Sequence, residues 1–150
     1  MFTLRSADLE DSQAIHSLVR RAGINPTGLN WQRFQVATTP EGQVIGCGQI
    51  KPHRDGSYEL ASIVVTDEWR HNGIGRAIIG RLLDSHPGDL YLMCRSGLKT
   101  FYEKFDFQAI QIDDMPKYFQ RISKLARLLT KLSDQGESLL VMKRPSSTNQ

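Results

Sequence analysis

Residues 70–76 read Arg70-His71-Asn72-Gly73-Ile74-Gly75-Arg76, two glycines one residue apart where an apolar strand and a polar loop give way to helical spacing. Glycines at such a place let backbone amides face a phosphate with no Cβ in the way. The free N–H groups and dipole of the first helical turn attract the same anion. Arg70 and Arg76 add charge at the rim, suited to a pyrophosphate or a sugar 3′-phosphate. A plain tight turn into a helix would use the same glycines. The three antiparallel strands expected before the loop argue against a dinucleotide-binding βαβ start, and Arg76-Ala77 lacks the lysine of a Walker loop.

The elements that must hold this loop follow from periodicity. Phe2 to Arg5 reads as a short strand, and Asp8 as the cap of a helix whose Ile15, Leu18, Val19 and Ala22 recur at helical spacing up to Gly23. Asn25 to Asn30 is rich in turn formers and leads to a half-buried strand through Phe34 and Val36, which ends at the turn Pro40-Glu41-Gly42. Gln43 to Lys51 and Ser57 to Val65 flank a hairpin turn in which Asp55-Gly56 supplies positive φ. A helix over about Gly73 to Asp84 and the apolar strand Leu90 to Cys94 then make one parallel crossover.

Leu98, Phe101, Tyr102 and Phe105 predict a further helix, Phe107 to Ile112 a strand, and Ser138 to Met142 the strand that closes the sheet. Between these two strands Pro116 opens a helix to about Leu132, with Tyr118, Ile122, Leu125, Leu129 and Leu132 on one face. Lys117, Arg121, Lys124 and Lys131 run beside that face. The expected fold is α/β, a mixed sheet flanked by helices.

The run Glu59-Leu60-Ala61-Ser62-Ile63-Val64-Val65-Thr66-Asp67-Glu68-Trp69-Arg70-His71-Asn72-Gly73-Ile74-Gly75 closely resembles the central motif of the GNAT acetyltransferases, with its Arg/Gln-x-x-Gly-x-Gly/Ala signature. Phe101-Tyr102-Glu103-Lys104-Phe105-Asp106-Phe107 is similar to the family's Phe-Tyr-x-x-x-Gly-Phe segment, with Asp106 where glycine is usual. Aspartate tolerates the left-handed region better than most residues, so the turn is expected to survive at some strain. The resemblance implies a GNAT-like, mostly antiparallel central sheet in a single domain over residues 1–144. The helix after Pro116 is an addition between the last two strands, and residues 145–150 form a disordered tail.

The same resemblance implies an acyl-CoA-dependent N-acyltransferase, with acetyl-CoA as co-substrate and a primary amine, small molecule or protein, as acceptor in a ternary complex. The backbone of Ile63, Val64 and Val65 would pair with the pantetheine arm, the Ile63 N–H polarising the thioester carbonyl. Arg70, His71, Asn72, Gly73, Ile74, Gly75 and Arg76 would hold the pyrophosphate. Glu59, 14 positions before Gly73, matches the general-base glutamate of the histone-acetyltransferase branch. Tyr102 would protonate the leaving thiolate. Read from their own patterns, Glu59 is also a solvent-facing strand residue and Tyr102 a core tyrosine. A noncatalytic acyl-CoA-binding regulatory module of the same fold is the alternative.

Composition narrows the partners. Nineteen Lys and Arg against 16 Asp and Glu leave +3, too little for a dedicated nucleic-acid or membrane binder. No apolar run approaches a membrane span, and the first residues lack a secretory pattern. Cys47 and Cys94 lack redox or zinc spacing and read as reduced, buried thiols of a cytoplasmic protein. His16, His53, His71 and His86 make no pair with metal-ligand spacing, so no metal is expected. The helix after Pro116 is expected to dock its apolar face beside the acceptor groove, with a symmetric homodimer contact as the rival account.

Overall fold

The computed structural model describes residues 1–130 and 138–147. Lys131, Leu132 and the last three residues of the expected tail lie outside that range. The strands are β1 (Thr3–Ser6), β2 (Phe34–Thr38), β3 (Val44–Pro52), β4 (Tyr58–Val65), β5 (Leu90–Arg95), β6 (Gln108–Ala109) and β7 (Leu139–Arg144). The helices are α1 (Ser12–Ala22), α2 (Ile74–Asp84), α3 (Lys99–Glu103) and α4 (Lys117–Thr130). The sheet has seven strands in the order β1-β2-β3-β4-β5-β7-β6, mostly antiparallel and flanked by helices. Its contacts fall into two compact units, residues 1–51 with 60–87 and residues 52–59 with 88–150.

In the first unit β1 pairs antiparallel with β2, Thr3 opposite Thr38, and β2 with β3, Phe34 opposite Gln49. Helix α1 follows a short 3-10 turn at Leu9–Asp11, capped by Asp8. It ends at Gly23 with φ 69°, a left-handed cap that glycine supplies without strain. Its Ile15, Leu18 and Val19 pack with Phe34, Val36, Cys47 and Val64. Each such side chain contributes about 1.5–3 kcal/mol by leaving water. On the opposite face of β3, a Cβ on Gly48 would lie 2.6 Å from Ile63 Cδ1 and 2.8 Å from Ile78 Cγ2, so the missing side chain is what lets α2 approach.

In the second unit β5 and β7 run antiparallel from Leu90 opposite Arg144 to Arg95 opposite Leu139, and Glu59 of β4 pairs with Tyr91 of β5 in the parallel sense. The last strand does not close the sheet at its edge. It inserts between β5 and β6, which leaves β6 at the margin. That edge strand is two residues long, shorter than the alternation from Phe107 to Ile112 suggests, because Ile112–Asp114 already turns as a 3-10 helix. Asp106 takes φ 69°, the left-handed conformation expected of it.

Helix α4 departs from the expectation that its whole apolar face docks. Phe119 is fully buried against Tyr91 and Val141, and Tyr118 packs beside it. Further along, Leu125, Leu128 and Leu129 are 54, 63 and 59% exposed. The spacing is helical as read, but the contacts with the buried cluster lie at Tyr118 and Phe119 in the first turn, while the three leucines stay exposed.

Candidate functional site

Ser62 sits in the middle of β4 with φ 59°, a left-handed conformation that costs a non-glycine residue about 1–3 kcal/mol. Two contacts hold it: Gln49 donates from Nε2 to Ser62 Oγ at 2.9 Å, and the Cys47 thiol lies 3.5 Å from the Ser62 carbonyl. The Gln49 amide also reaches the Gly28 carbonyl at 3.2 Å. Gln49 is fully buried, and burial pushes the Cys47 thiol up to about 12, so neither is a surface group. Ser62 immediately precedes Ile63, and strained backbone of this kind gathers at ligand sites.

Beyond Val65 the chain turns through a 3-10 helix at Asp67–Trp69 into the glycine-bearing loop. His71 and Gly73 both have positive φ, 67° and 77°, and left-handed residues of this kind gather successive N–H groups into an anion-binding concavity. Gly73 is the N-cap of α2 and no side chain caps that end. The intrahelical ladder opens with Ala77 N–H donating to the Gly73 carbonyl, so the amides of Ile74, Gly75 and Arg76 precede it. At Gly75 an added Cβ would come no nearer than 3.8 Å to protein, at Val65 Cγ2. Asn72 turns its side chain back to the carbonyls of Trp69 and Arg70 at 3.0 and 3.1 Å, so its own offer to a ligand is backbone. Arg70 pairs with Asp67 at 3.2 Å, both side chains largely exposed.

In the second unit Glu59 is buried rather than solvent-facing, 6% exposed, and its Oε1 accepts a 2.8 Å hydrogen bond from His53 Nε2. With Glu59 ionised, its carboxylate can only accept, and Nε2 is then the nitrogen that carries the hydrogen. Tyr102, on α3, packs its ring edge-on to Phe101 and Phe107 at 5.1 and 6.2 Å. Burial first, and the neighbouring Cys94 second, push its hydroxyl up to about 12. The phenol therefore keeps its proton throughout the neutral range. Burial also raises the Cys94 thiol, whose Sγ lies 3.8 Å from Met142 Sδ, which suits a structural thiol better than a nucleophile.

The first unit thus brings together Ile63, Val64, Val65 and the loop from Arg70 to Arg76, and the second holds Glu59 and Tyr102. Three contributors escaped the sequence reading: the left-handed backbone of Ser62, the amide of Gln49 and the ring of His53. For His53 a signal existed. Its N–H donates to the Ser57 carbonyl across the hairpin, and residues two apart share a strand face, so Glu59 falls diagonal to it. Among the described residues no group of His, Cys, Asp and Glu could hold a metal ion, and no helix is long and apolar enough to cross a membrane.

A family model described as an acetyltransferase (GNAT) domain matches residues 30–109, more than half of the chain. No curated protein matches it. Solved structures do. The ribosomal-protein-S18-alanine N-acetyltransferase of Escherichia coli is 20% identical with a TM-score of 0.70, over 100% of this chain and 97% of that one. A Mycobacterium tuberculosis protein in complex with CoA is 23% identical with a TM-score of 0.69, over 97 and 99%. The N-acetylglutamate synthase of Neisseria gonorrhoeae, complexed with coenzyme A and N-acetyl-glutamate, is 17% identical with a TM-score of 0.68. There the match takes in 96% of this chain, which spans 35% of that enzyme's length. At these identities the likeness is one of fold.

Proposed function

Because the chain belongs to the GNAT acetyltransferase family, we propose that it moves an acetyl group from acetyl-CoA to a primary amine by direct transfer. The observation that carries this reading is the start of α2, with a left-handed glycine cap, no side-chain cap, and no Cβ at Gly75. These residues fit the pyrophosphate of CoA. The amides of Ile74, Gly75 and Arg76 would face it, and Arg70 and Arg76 would supply charge. The left-handed backbone at Ser62 supports the pairing of Ile63, Val64 and Val65 with the pantetheine arm, and the Ile63 amide would polarise the thioester carbonyl. One donor aimed at a developing oxyanion is worth about 3 kcal/mol.

An amine acceptor is protonated near neutral pH, so the ammonium first gives a proton to the Glu59 carboxylate. The freed nitrogen attacks the carbonyl carbon, the carbon–sulfur bond breaks, and Tyr102 supplies the proton that the sulfur takes up. The second proton of the new amide returns to the Tyr102 phenolate, and Glu59 releases its proton to solvent. With its hydroxyl near 12, Tyr102 is a weak acid, so it donates as the bond breaks rather than before.

Release of free CoA thiol from acetyl-CoA, followed over a panel of small amines and amino-terminal peptides, tests the proposal. An amine-dependent release with one acetylated product supports it, and acetyl-CoA left intact by every amine class speaks for a noncatalytic binding module.

A further inference from the structure

We propose that His53 is a positioning residue for Glu59, fixing through its Nε2–H the carboxylate that takes the amine proton, and that the first turn of α4 holds His53 in place. This rests on the reading of Glu59 as the base. A glutamate on a strand carries a mobile side chain that loses entropy when it must work from one geometry. Here the 2.8 Å bond to His53 fixes it, and the two side chains are only 9 and 8% exposed.

His53 in turn is clamped. Its ring stacks on Tyr118 with centroids 3.7 Å apart and planes 18° from parallel, and Phe119 meets it edge-on at 5.6 Å. The turn that carries His53 is tied to the same helix, because Asp55 Oδ2 accepts from the Tyr118 N–H at 3.0 Å while Asp55 Oδ1 accepts from Ser57. Hairpin and helix thus brace one imidazole from two sides. The extra helix gains a role that its exposed leucines do not explain. A single buried hydrogen bond adds little net stability, which favours a reason for this one beyond folding.

The titratable groups around the pair are few. Glu59 comes from β4, Asp55 from the hairpin and Tyr118 from α4, and Tyr91 pairs beside Glu59 on β5. Burial works to raise the Asp55 carboxyl, but hydrogen bonds from Ser57 and Tyr118 outweigh it and hold the group below its ordinary value. Burial, and then Glu59, raise the Tyr118 hydroxyl. Asp55 therefore stays ionised and Tyr118 neutral at working pH.

The test compares His53→Phe, which keeps a ring but loses the donor, with His53→Gln, whose amide restores one. Thiol release from acetyl-CoA is followed with n-butylamine as acceptor across neutral and alkaline pH. His53→Phe is expected to lower kcat about 10- to 100-fold with KM for acetyl-CoA unchanged, and to move the pH profile, while His53→Gln recovers most of the rate. A histidine-ring 1H–15N spectrum of the unaltered protein, which needs no variant to fold, should show Nε2 protonated at neutral pH. Parental kcat in His53→Phe, a rate in His53→Gln as low as in His53→Phe, or an Nδ1–H tautomer would each overturn the inference while leaving acetyl transfer standing. No thiol release by the parent protein with n-butylamine or any other amine of the panel would remove the proposed transfer, and this inference with it.

Discussion

Gln49 donates a 2.9 Å hydrogen bond from Nε2 to Oγ of Ser62, the residue with left-handed backbone in the middle of β4. The same nitrogen reaches the Gly28 carbonyl, so one buried amide ties this residue to the loop before β2. Gln49→Leu should destabilise the protein by about 1–3 kcal/mol in urea unfolding, because two acceptors lose their donor. It should also weaken acetyl-CoA binding. Unchanged stability and affinity would mean that the strand holds its left-handed residue without help.

Strain at Ser62 gives a comparison of signs. Ser62→Ala loses the hydroxyl and keeps the left-handed backbone, φ 59°, whereas Ser62→Gly loses the same bond and relieves the strain. The glycine variant should therefore be the more stable of the two by about 1 kcal/mol, read from denaturation midpoints. An alanine variant equal to the glycine variant would show that position 62 carries no such strain.

Asp106, φ 69°, stands at a turn where the related motif has glycine. Asp106→Gly should raise stability by about 0.5–1 kcal/mol, since a Cβ in the left-handed region is removed and the exposed carboxylate is not replaced. A loss of stability would point to a favourable contact of the carboxylate.

Raised phenol and thiol groups fix the sign of the alkaline limb. Burial, aided by Cys94, holds Tyr102 near 12 against an ordinary 10, and burial holds Cys47 near 12 against 9. The folded state thus keeps protons that the unfolded chain has given up, and stability falls as pH rises from about 9 towards 12. Tyr102→Phe should flatten that fall above pH 10, and at neutral pH lower turnover about 10- to 1000-fold with little change in acetyl-CoA affinity. An unchanged alkaline slope and an unchanged rate would make Tyr102 an ordinary packing residue.

Much of the fold was legible because it rests on local signals. The spacing of Ile15, Leu18 and Val19, the glycine at position 23, the Asp55-Gly56 turn and the apolar run of β5 each mark an element by periodicity or turn chemistry. The loop from Arg70 to Arg76 was legible for the same reason. The order of the last strands was not, since insertion of β7 between β5 and β6 depends on long-range pairing that no local pattern carries. Helical spacing in α4 showed which residues share a face but not that Leu125, Leu128 and Leu129 stay exposed. The left-handed backbone at Ser62 was invisible for a different reason. Serine has no marked preference for positive φ, and the donor that holds it lies 13 residues away on β3.

The central claim is that the start of α2 grips acetyl-CoA, and calorimetric titration of the intact protein with acetyl-CoA measures it most directly. The account predicts saturable binding by the parent protein. It also predicts loss of binding in Gly73→Val, whose side chain is strained at φ 77° and intrudes where the pyrophosphate would lie, with the circular dichroism of a folded protein retained. No heat of binding at millimolar acetyl-CoA, or full affinity in a folded Gly73→Val, would contradict it.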